Sequence, residues 1–171
     1  MPVWASGRGE MPGDVFRGST QLTLDGKGRL SIPARYRERL ASRCGGHLVL
    51  TFDPTNGCLR LYPHPDWEAF EARVTALPDM HPDSRQLKMV VVGSAEDLEP
   101  DTAGRILIPP MLRKHAGLEK DVVLVGQGAN FAIWNATAWQ ELFARSAQLP
   151  ERVNAAIENG TLPEELKGFS W

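Results

Sequence analysis

The chain has 171 residues, of which 42% are hydrophobic, and its 19 Lys and Arg against 21 Asp and Glu give a formal net charge of −2. This composition is typical of a globular protein of one domain or two small ones. No apolar run reaches the length of a membrane span, residues 1–15 lack an apolar signal core, and two cysteines cannot form a disulfide framework. We therefore expect a cytoplasmic protein without a membrane partner.

The first predicted elements are two strands and a turn. Residues 1–14 are rich in Gly and Pro, which predicts a flexible N-terminal arm. Residues 15–24 and 29–32 carry β-favouring side chains. Asp25-Gly26 lies between these runs, and because Gly tolerates the positive φ of a tight turn, the pattern predicts a β-hairpin.

A helix, a second hairpin and another helix follow. Pro33 has the fixed φ of a first helical turn, which predicts a helix over residues 33–43. Two short strands are predicted at 47–52 and 58–62. Apolar side chains then recur at helical spacing, so an amphipathic helix is expected over residues 65–77.

The sequence repeats itself. When residues 101–116 are aligned with residues 25–40, six positions are identical, namely Asp25/Asp101, Gly28/Gly104, Arg29/Arg105, Ile32/Ile108, Pro33/Pro109 and Arg37/Arg113. A duplicated unit of about seventy residues predicts two repeats with two equivalent sites. We place the repeats at 15–78 and 79–150, with a lead-in helix at 82–92 in the second and a C-terminal helix and tail at 151–171. The element order predicts an α+β fold.

Basic residues are concentrated in the first repeat. Seven of them lie between residues 16 and 43, namely Arg17, Lys27, Arg29, Arg35, Arg37, Arg39 and Arg43, whereas residues 64–101 are mainly acidic. A segregated basic patch binds phosphate, while the acidic remainder keeps a protein soluble. The alternative is that these residues form the solvated faces of ordinary helices.

The repeated Asp-x-x-x-Arg motif, Asp25/Arg29 and Asp101/Arg105, also has two interpretations. In the first, Asp caps the turn amides and pairs with Arg to fix the turn. In the second, the turn presents Lys27 and Arg29 to DNA, since guanidinium groups bind phosphate and the O6/N7 edge of guanine. The two interpretations are compatible.

No enzyme motif is present. The four histidines lie outside nucleophile-elbow, zinc-protease and phosphate-loop contexts, so we assign no catalytic residue and no cofactor. Cys44, His47, Cys58 and His64 have a spacing within reach of a loose zinc site. The second repeat has no equivalent set and Cys58 falls in a predicted strand, so a structural role is favoured over a metal site.

Residues 16–20 (FRGST), residues 24–37 (LDGKGRLSIPARYR) and the second Asp-x-x-Gly-Arg-x-x-Ile-Pro at 101–109 resemble the MraZ family. The resemblance implies two tandem swapped-hairpin, AbrB-like β-barrel halves with flanking helices and a pseudo-twofold duplication. It also implies a nucleoid-associated transcriptional regulator. Such proteins bind short direct repeats of double-stranded DNA in the promoter of the division and cell-wall gene cluster, and assemble as homo-oligomeric rings.

The resemblance places DNA contacts at Arg29, Lys27, Arg17, Arg105 and Arg35, and turn-orienting roles at Asp25, Gly28, Asp101 and Gly104. The second turn lacks a counterpart of Lys27, and Met111 replaces Arg35 in the second repeat. The first repeat is therefore expected to be the better DNA binder. The alternative from another class is an antitoxin-like or other protein-interaction module on the same fold.

Overall fold

The structure, a computed structural model, describes residues 15–163. The predicted arm at 1–14 and residues 164–171 of the predicted tail lie outside the described residues. In chain order the elements are β1 (Phe16–Thr23), β2 (Arg29–Ser31), α1 (Ala34–Cys44), β3 (Leu48–Asp53), β4 (Cys58–Pro63), α2 (His64–Thr75), α3 (Pro82–Val91), β5 (Glu96–Leu98), β6 (Arg105–Leu107), α4 (Pro110–His115), β7 (Asp121–Gly128), β8 (Phe131–Asn135), α5 (Ala136–Ser146) and α6 (Leu149–Glu158). The predicted α+β class is confirmed.

The chain divides into two compact units, one up to Ala136 and one from Thr137 onward. The second unit contains helices α5 and α6, and in it the rings of Trp139 and Phe143 meet edge to face at 5.1 Å. Within residues 15–163, no helix has the length and apolar character needed to cross a bilayer.

The strands of the first unit form a six-stranded sheet in the order β1-β7-β8-β4-β3-β5 and a two-stranded ribbon of β2 and β6. Strand β1 pairs with β7 of the second repeat, and β5 of the second repeat pairs with β3 of the first. The two repeats thus exchange their first strands and share one sheet. Strands of both repeats therefore lie side by side in one sheet, as expected for a swapped arrangement.

The predicted β-hairpin of residues 15–32 is wrong in its pairing. The turn itself forms, because the Gly28 amide donates to the Asp25 carbonyl at 2.9 Å. The strands on either side then separate, and β2 pairs with β6. Turn chemistry is local, whereas the pairing partner is decided by burial, here that of Leu30 and Ile106 between the repeats. The hairpin of β3 and β4 does pair as predicted, and its counterpart in the second repeat, β7 with β8, pairs in the same way.

An aromatic cluster crosses the repeat boundary in the core. The ring of Phe131 from β8 lies 4.4 Å from that of Phe16 and 4.9 Å from that of Tyr36. All three side chains are buried, and the hydroxyl of Tyr36 donates to the carbonyl of Arg17 at 2.7 Å. Each such ring pair contributes about 0.5–1.5 kcal/mol beyond its area burial. The cluster therefore fixes α1 on β1 and joins both to the second repeat.

Candidate nucleic-acid interface

The ribbon of β2 and β6 has one buried and one outward face. Leu30 and Ile106 lie opposite each other and are fully buried. Because successive side chains of a strand point to opposite faces, their neighbours point outward. We call this outward surface the ribbon face; it consists of Arg29, Ser31, Arg105 and Leu107. The sequence-predicted residues Arg29 and Arg105, one from each repeat, are thus brought onto one surface.

The first turn, residues 25–29, is organised by Asp25. One carboxylate oxygen accepts hydrogen bonds from the backbone amides of Lys27 and Arg29, both at 2.9 Å. The other accepts from Nε of the Arg29 guanidinium at 2.6 Å. The predicted capping and pairing role of Asp25 is therefore present. It fixes both the turn backbone and the direction of the Arg29 side chain.

The second turn, residues 101–105, repeats this geometry. Asp101 accepts from the amides of Ala103 and Arg105 at 2.9 Å each, and from Nε of Arg105 at 2.8 Å. The arginine is held in the same way, but the position of Lys27 is occupied by Ala103. The second turn accordingly has one cation fewer than the first.

Hydrogen bonding keeps both aspartates ionised. The backbone amide of Arg29 has the largest effect on the pKa of Asp25, and desolvation, which is next, opposes it. With the Arg29 guanidinium and the Lys27 amide, the net result is a pKa lowered from 3.8 to about 2. The backbone amide of Arg105 lowers the pKa of Asp101 in the same manner. Each turn therefore has a stable carboxylate at neutral pH and an arginine bonded through Nε.

Arg29 retains free donors for a ligand. Within residues 15–163, Nε is the nitrogen of the Arg29 side chain that donates a hydrogen bond, and the side chain is 29% exposed. The two terminal nitrogens of a guanidinium present parallel N–H groups that match two acceptors of a phosphate or a guanine edge. Lys27 is exposed at the same turn. The first turn thus has two cationic side chains that reach solvent.

Arg17 and Arg35 lie elsewhere, along β1 and α1. The guanidinium of Arg35 contacts the hydroxyl of Thr20 and lies 4.6 Å from the centroid of the Tyr36 ring. Arg17 is an exposed residue of β1, opposite Gln127 of β7. These two predicted residues therefore form a second basic area on the first repeat rather than part of the ribbon face.

Sequence reasoning missed the contribution of Arg37 and Arg113. The guanidinium of Arg113 lies directly against Gly28, and that of Arg37 lies against Gly104. Each arginine therefore packs on the motif turn of the other repeat. Their identity within the duplicated segment was a signal, but only the strand exchange shows which turn each one contacts.

The four residues considered for zinc have other partners. The Cys44 thiol donates to the Leu40 carbonyl at 3.1 Å, and His47 and His64 face Glu99 and Glu68, respectively. Burial, and then the Asp53 carboxylate, raise the pKa of the Cys58 thiol to about 12, so this group stays neutral. Within the described part of the chain, no three His, Cys, Asp or Glu residues are grouped to hold a metal.

The chain is similar to proteins of one family. The sequence model described as "MraZ protein, putative antitoxin-like" matches residues 15–90 and 91–158. A protein of Nitrosospira multiformis named "Transcriptional regulator MraZ" is 49% identical over 156 residues, which cover 91% of this chain and 99% of the relative. A protein of the same name from Pseudomonas aeruginosa is 43% identical over 153 residues, covering 90% and 97%.

Proposed function

We propose that this chain, which belongs to the MraZ family, binds promoter DNA through the ribbon face and the two motif turns. The chain is a transcriptional regulator, a non-enzyme class of protein, as its named relatives indicate. The observation that supports this site best is the placement of Arg29 and Arg105 on one outward face, each oriented by an aspartate.

The shape of the ribbon suits the major groove. A groove about 12 Å wide admits a two-stranded β-ribbon, and side chains that alternate along the strands then point at base edges. The register places Arg29 opposite Leu107 and Arg105 opposite Ser31, so the outward side chains are related by a local twofold. Arginine, serine and an apolar side chain together supply donors for guanine and a contact surface for a thymine methyl group.

Arg29 is the residue that we assign to base readout. Because Asp25 holds Nε at 2.6 Å, the side chain is ordered before DNA arrives, and less conformational entropy is lost on binding. The terminal nitrogens are then available for O6 and N7 of a guanine. Lys27 at the exposed tip of the turn is assigned to a phosphate, since an ammonium is a compact point charge.

The two repeats are proposed to contribute unequally. The first turn has Lys27 where the second has Ala103, and α1 has Arg35 where α4 has Met111. We assign Arg17 and Arg35 to flanking phosphates and Arg105 to a weaker contact of the second turn. In this assignment the repeats are the segments 15–78 and 79–150.

The assembly and the operator are also part of the proposal. On the resemblance to the family, the protein acts in the cytoplasm on the nucleoid, as a homo-oligomeric ring bound to short direct repeats in the promoter of the division and cell-wall gene cluster. Direct repeats require successive subunits in the same orientation, which a head-to-tail ring supplies and an isologous dimer does not. Several weak contacts then add through high effective concentration.

Binding to the DNA upstream of its own gene tests the proposal. The purified protein is titrated with this DNA and with a scrambled duplex of equal length, across a salt series. Tight binding to the promoter alone, weakening steeply with salt, is the expected result. Equal binding to both duplexes contradicts sequence-specific regulation. No binding to either contradicts DNA binding altogether and favours the protein-interaction alternative.

A further inference from the structure

We infer that Arg113 and Arg37 are positioning residues that act across the repeat boundary, Arg113 on the first motif turn and Arg37 on the second. The inference rests on the proposed function, because its consequence is measured as DNA affinity. It adds a structural connection between the repeats: the helix of each repeat holds the proposed DNA-binding turn of the other in place.

Gly28 is the point at which the first turn meets the second repeat. Its φ is +79°, a conformation that L side chains rarely adopt, and a Cβ built there would lie 2.7 Å from Nε of Arg113. The Gly28 carbonyl accepts from the Ile108 amide at 3.0 Å. The guanidinium of Arg113 thus packs on the bare backbone of Gly28, immediately before Arg29.

Gly104 has the equivalent arrangement in the second repeat. Its φ is +74°, and a Cβ built there would lie 2.5 Å from Nε of Arg37. The Gly104 carbonyl accepts from the Ile32 amide at 2.9 Å. Each turn is therefore held by two contacts from the opposite repeat. One is the amide of the isoleucine that directly follows a ribbon strand, and the other is a helix arginine.

Each of the two arginines lies beside a cavity at the motif turn that it contacts. A cavity of about 370 Å³ is lined by Asp25, Gly26 and Arg113, and one of about 280 Å³ by Asp101, Gly104 and Arg37. Nε of Arg37 donates to the Ile32 carbonyl at 2.7 Å. Nε of Arg113 is buried and has no acceptor within residues 15–163. Packing on Gly28, rather than a hydrogen bond of Nε, therefore accounts for the position of Arg113.

The physical effect follows from the flexibility of glycine. A glycine without a packed neighbour samples many conformations. The turn must then become ordered when DNA binds, and this loss of entropy lowers the affinity. Loss of the Arg113 side chain releases Gly28 and with it the direction of Arg29. Loss of Arg37 releases Gly104 and Arg105. A change in the helix of one repeat therefore affects the motif turn of the other repeat, which we call the crossed pattern.

Double-mutant cycles on promoter DNA test this crossed pattern. Arg113→Ala should weaken binding at least about fivefold, the lower end expected for a lost base-reading arginine. The double variant with Arg113→Ala and Arg29→Ala should bind almost as well as Arg29→Ala alone, because both changes remove the same contact with DNA. In the double variant with Arg113→Ala and Arg105→Ala, the two fold-losses in affinity should multiply, because the sites are independent. Arg37→Ala should show the reverse pattern.

Two controls separate positioning from charge and from folding. Arg113→Lys keeps the charge and the stem but not the planar group, so it should weaken binding as Arg113→Ala does. Lys114→Ala removes a cation from the same helix and should have less effect. If Arg113→Ala does not fold, Arg113→Lys is used in the cycles. Full affinity in Arg113→Lys, or equal coupling of Arg113 to Arg29 and to Arg105, would overturn the inference.

A measurement without DNA separates this inference from the proposed function. Hydrogen exchange of the Lys27 and Arg29 amides should be faster in Arg113→Ala and unchanged in Arg37→Ala. Unaltered exchange at the first turn in Arg113→Ala overturns the positioning role even if Arg29→Ala abolishes binding. Conversely, altered exchange together with full DNA affinity in Arg29→Ala contradicts the proposed DNA site, while the cross-repeat contact stands.

Discussion

Leu30 of the first repeat and Ile106 of the second lie opposite each other at the centre of the β2–β6 ribbon, and both side chains are fully buried. Neither strand pairs with its own neighbour in sequence. The buried side of the ribbon therefore depends on both repeats at once, and the outward side has its register set by this contact.

Truncating either residue should destabilise the whole first unit. Leu30→Ala and Ile106→Ala should each lower the free energy of unfolding by about 2–5 kcal/mol, because each leaves a cavity in the core. The double variant should deviate from the sum of the two, since the side chains are in contact. Urea unfolding measures all three. Leu107→Ala, at a site that is 53% exposed on the same strand, is the matched control and should be nearly neutral. Similar losses at positions 106 and 107 would contradict the assigned register.

Much of the local structure was predictable from sequence, because it depends on local chemistry. Pro33 directly precedes α1, and the predicted lead-in helix at 82–92 is α3, Pro82–Val91. The turn at Asp25 was also predicted. Its strand partners were not, because pairing across repeats depends on which apolar faces become buried together. For the same reason, no sequence pattern predicted that Arg113 packs on Gly28.

The Asp25 carboxylate should make stability depend on pH in the acid range. Its pKa in the folded protein is lowered from 3.8 to about 2, so its contribution is present above pH 3.8 and is lost as pH falls through about 2. The difference in unfolding free energy between the wild type and Asp25→Asn should therefore shrink over this interval. Urea unfolding between pH 6 and pH 2 measures it. Asp101→Asn should behave alike, because the pKa of Asp101 is also lowered. A difference that stays constant down to pH 2 would contradict the turn geometry.

Gly28 should not tolerate a side chain. Gly28→Ala forces a Cβ into a residue with φ of +79° and against the guanidinium of Arg113. The backbone strain of about 1–3 kcal/mol should lower the stability, and the guanidinium would have to leave its place on Gly28. Gly26→Ala is the control, since nothing lies within 4 Å of a Cβ at that position. Thermal unfolding of both variants measures the effect, and equal stability of the two would show that the strain is absent.

Lys27 should act through charge alone. Lys27→Ala should weaken binding to promoter DNA and to scrambled DNA by similar factors. The slope of log affinity against log salt concentration should fall by about 1, the value for one phosphate contact. Its side chain is exposed, so unfolding should be unaffected. Fluorescence anisotropy over a salt series measures the slope. A loss confined to promoter DNA would instead assign Lys27 to a base.

The most direct test of the DNA-binding site is the promoter affinity of Arg29→Ala beside that of Arg73→Ala, which removes an exposed arginine from α2. The proposed site predicts a loss of about 1–3 kcal/mol in binding free energy for Arg29→Ala, with reduced discrimination against scrambled DNA. Arg73→Ala should bind as the wild type does. Unchanged affinity in a folded Arg29→Ala variant, or an equal loss in both variants, would contradict recognition through the ribbon face.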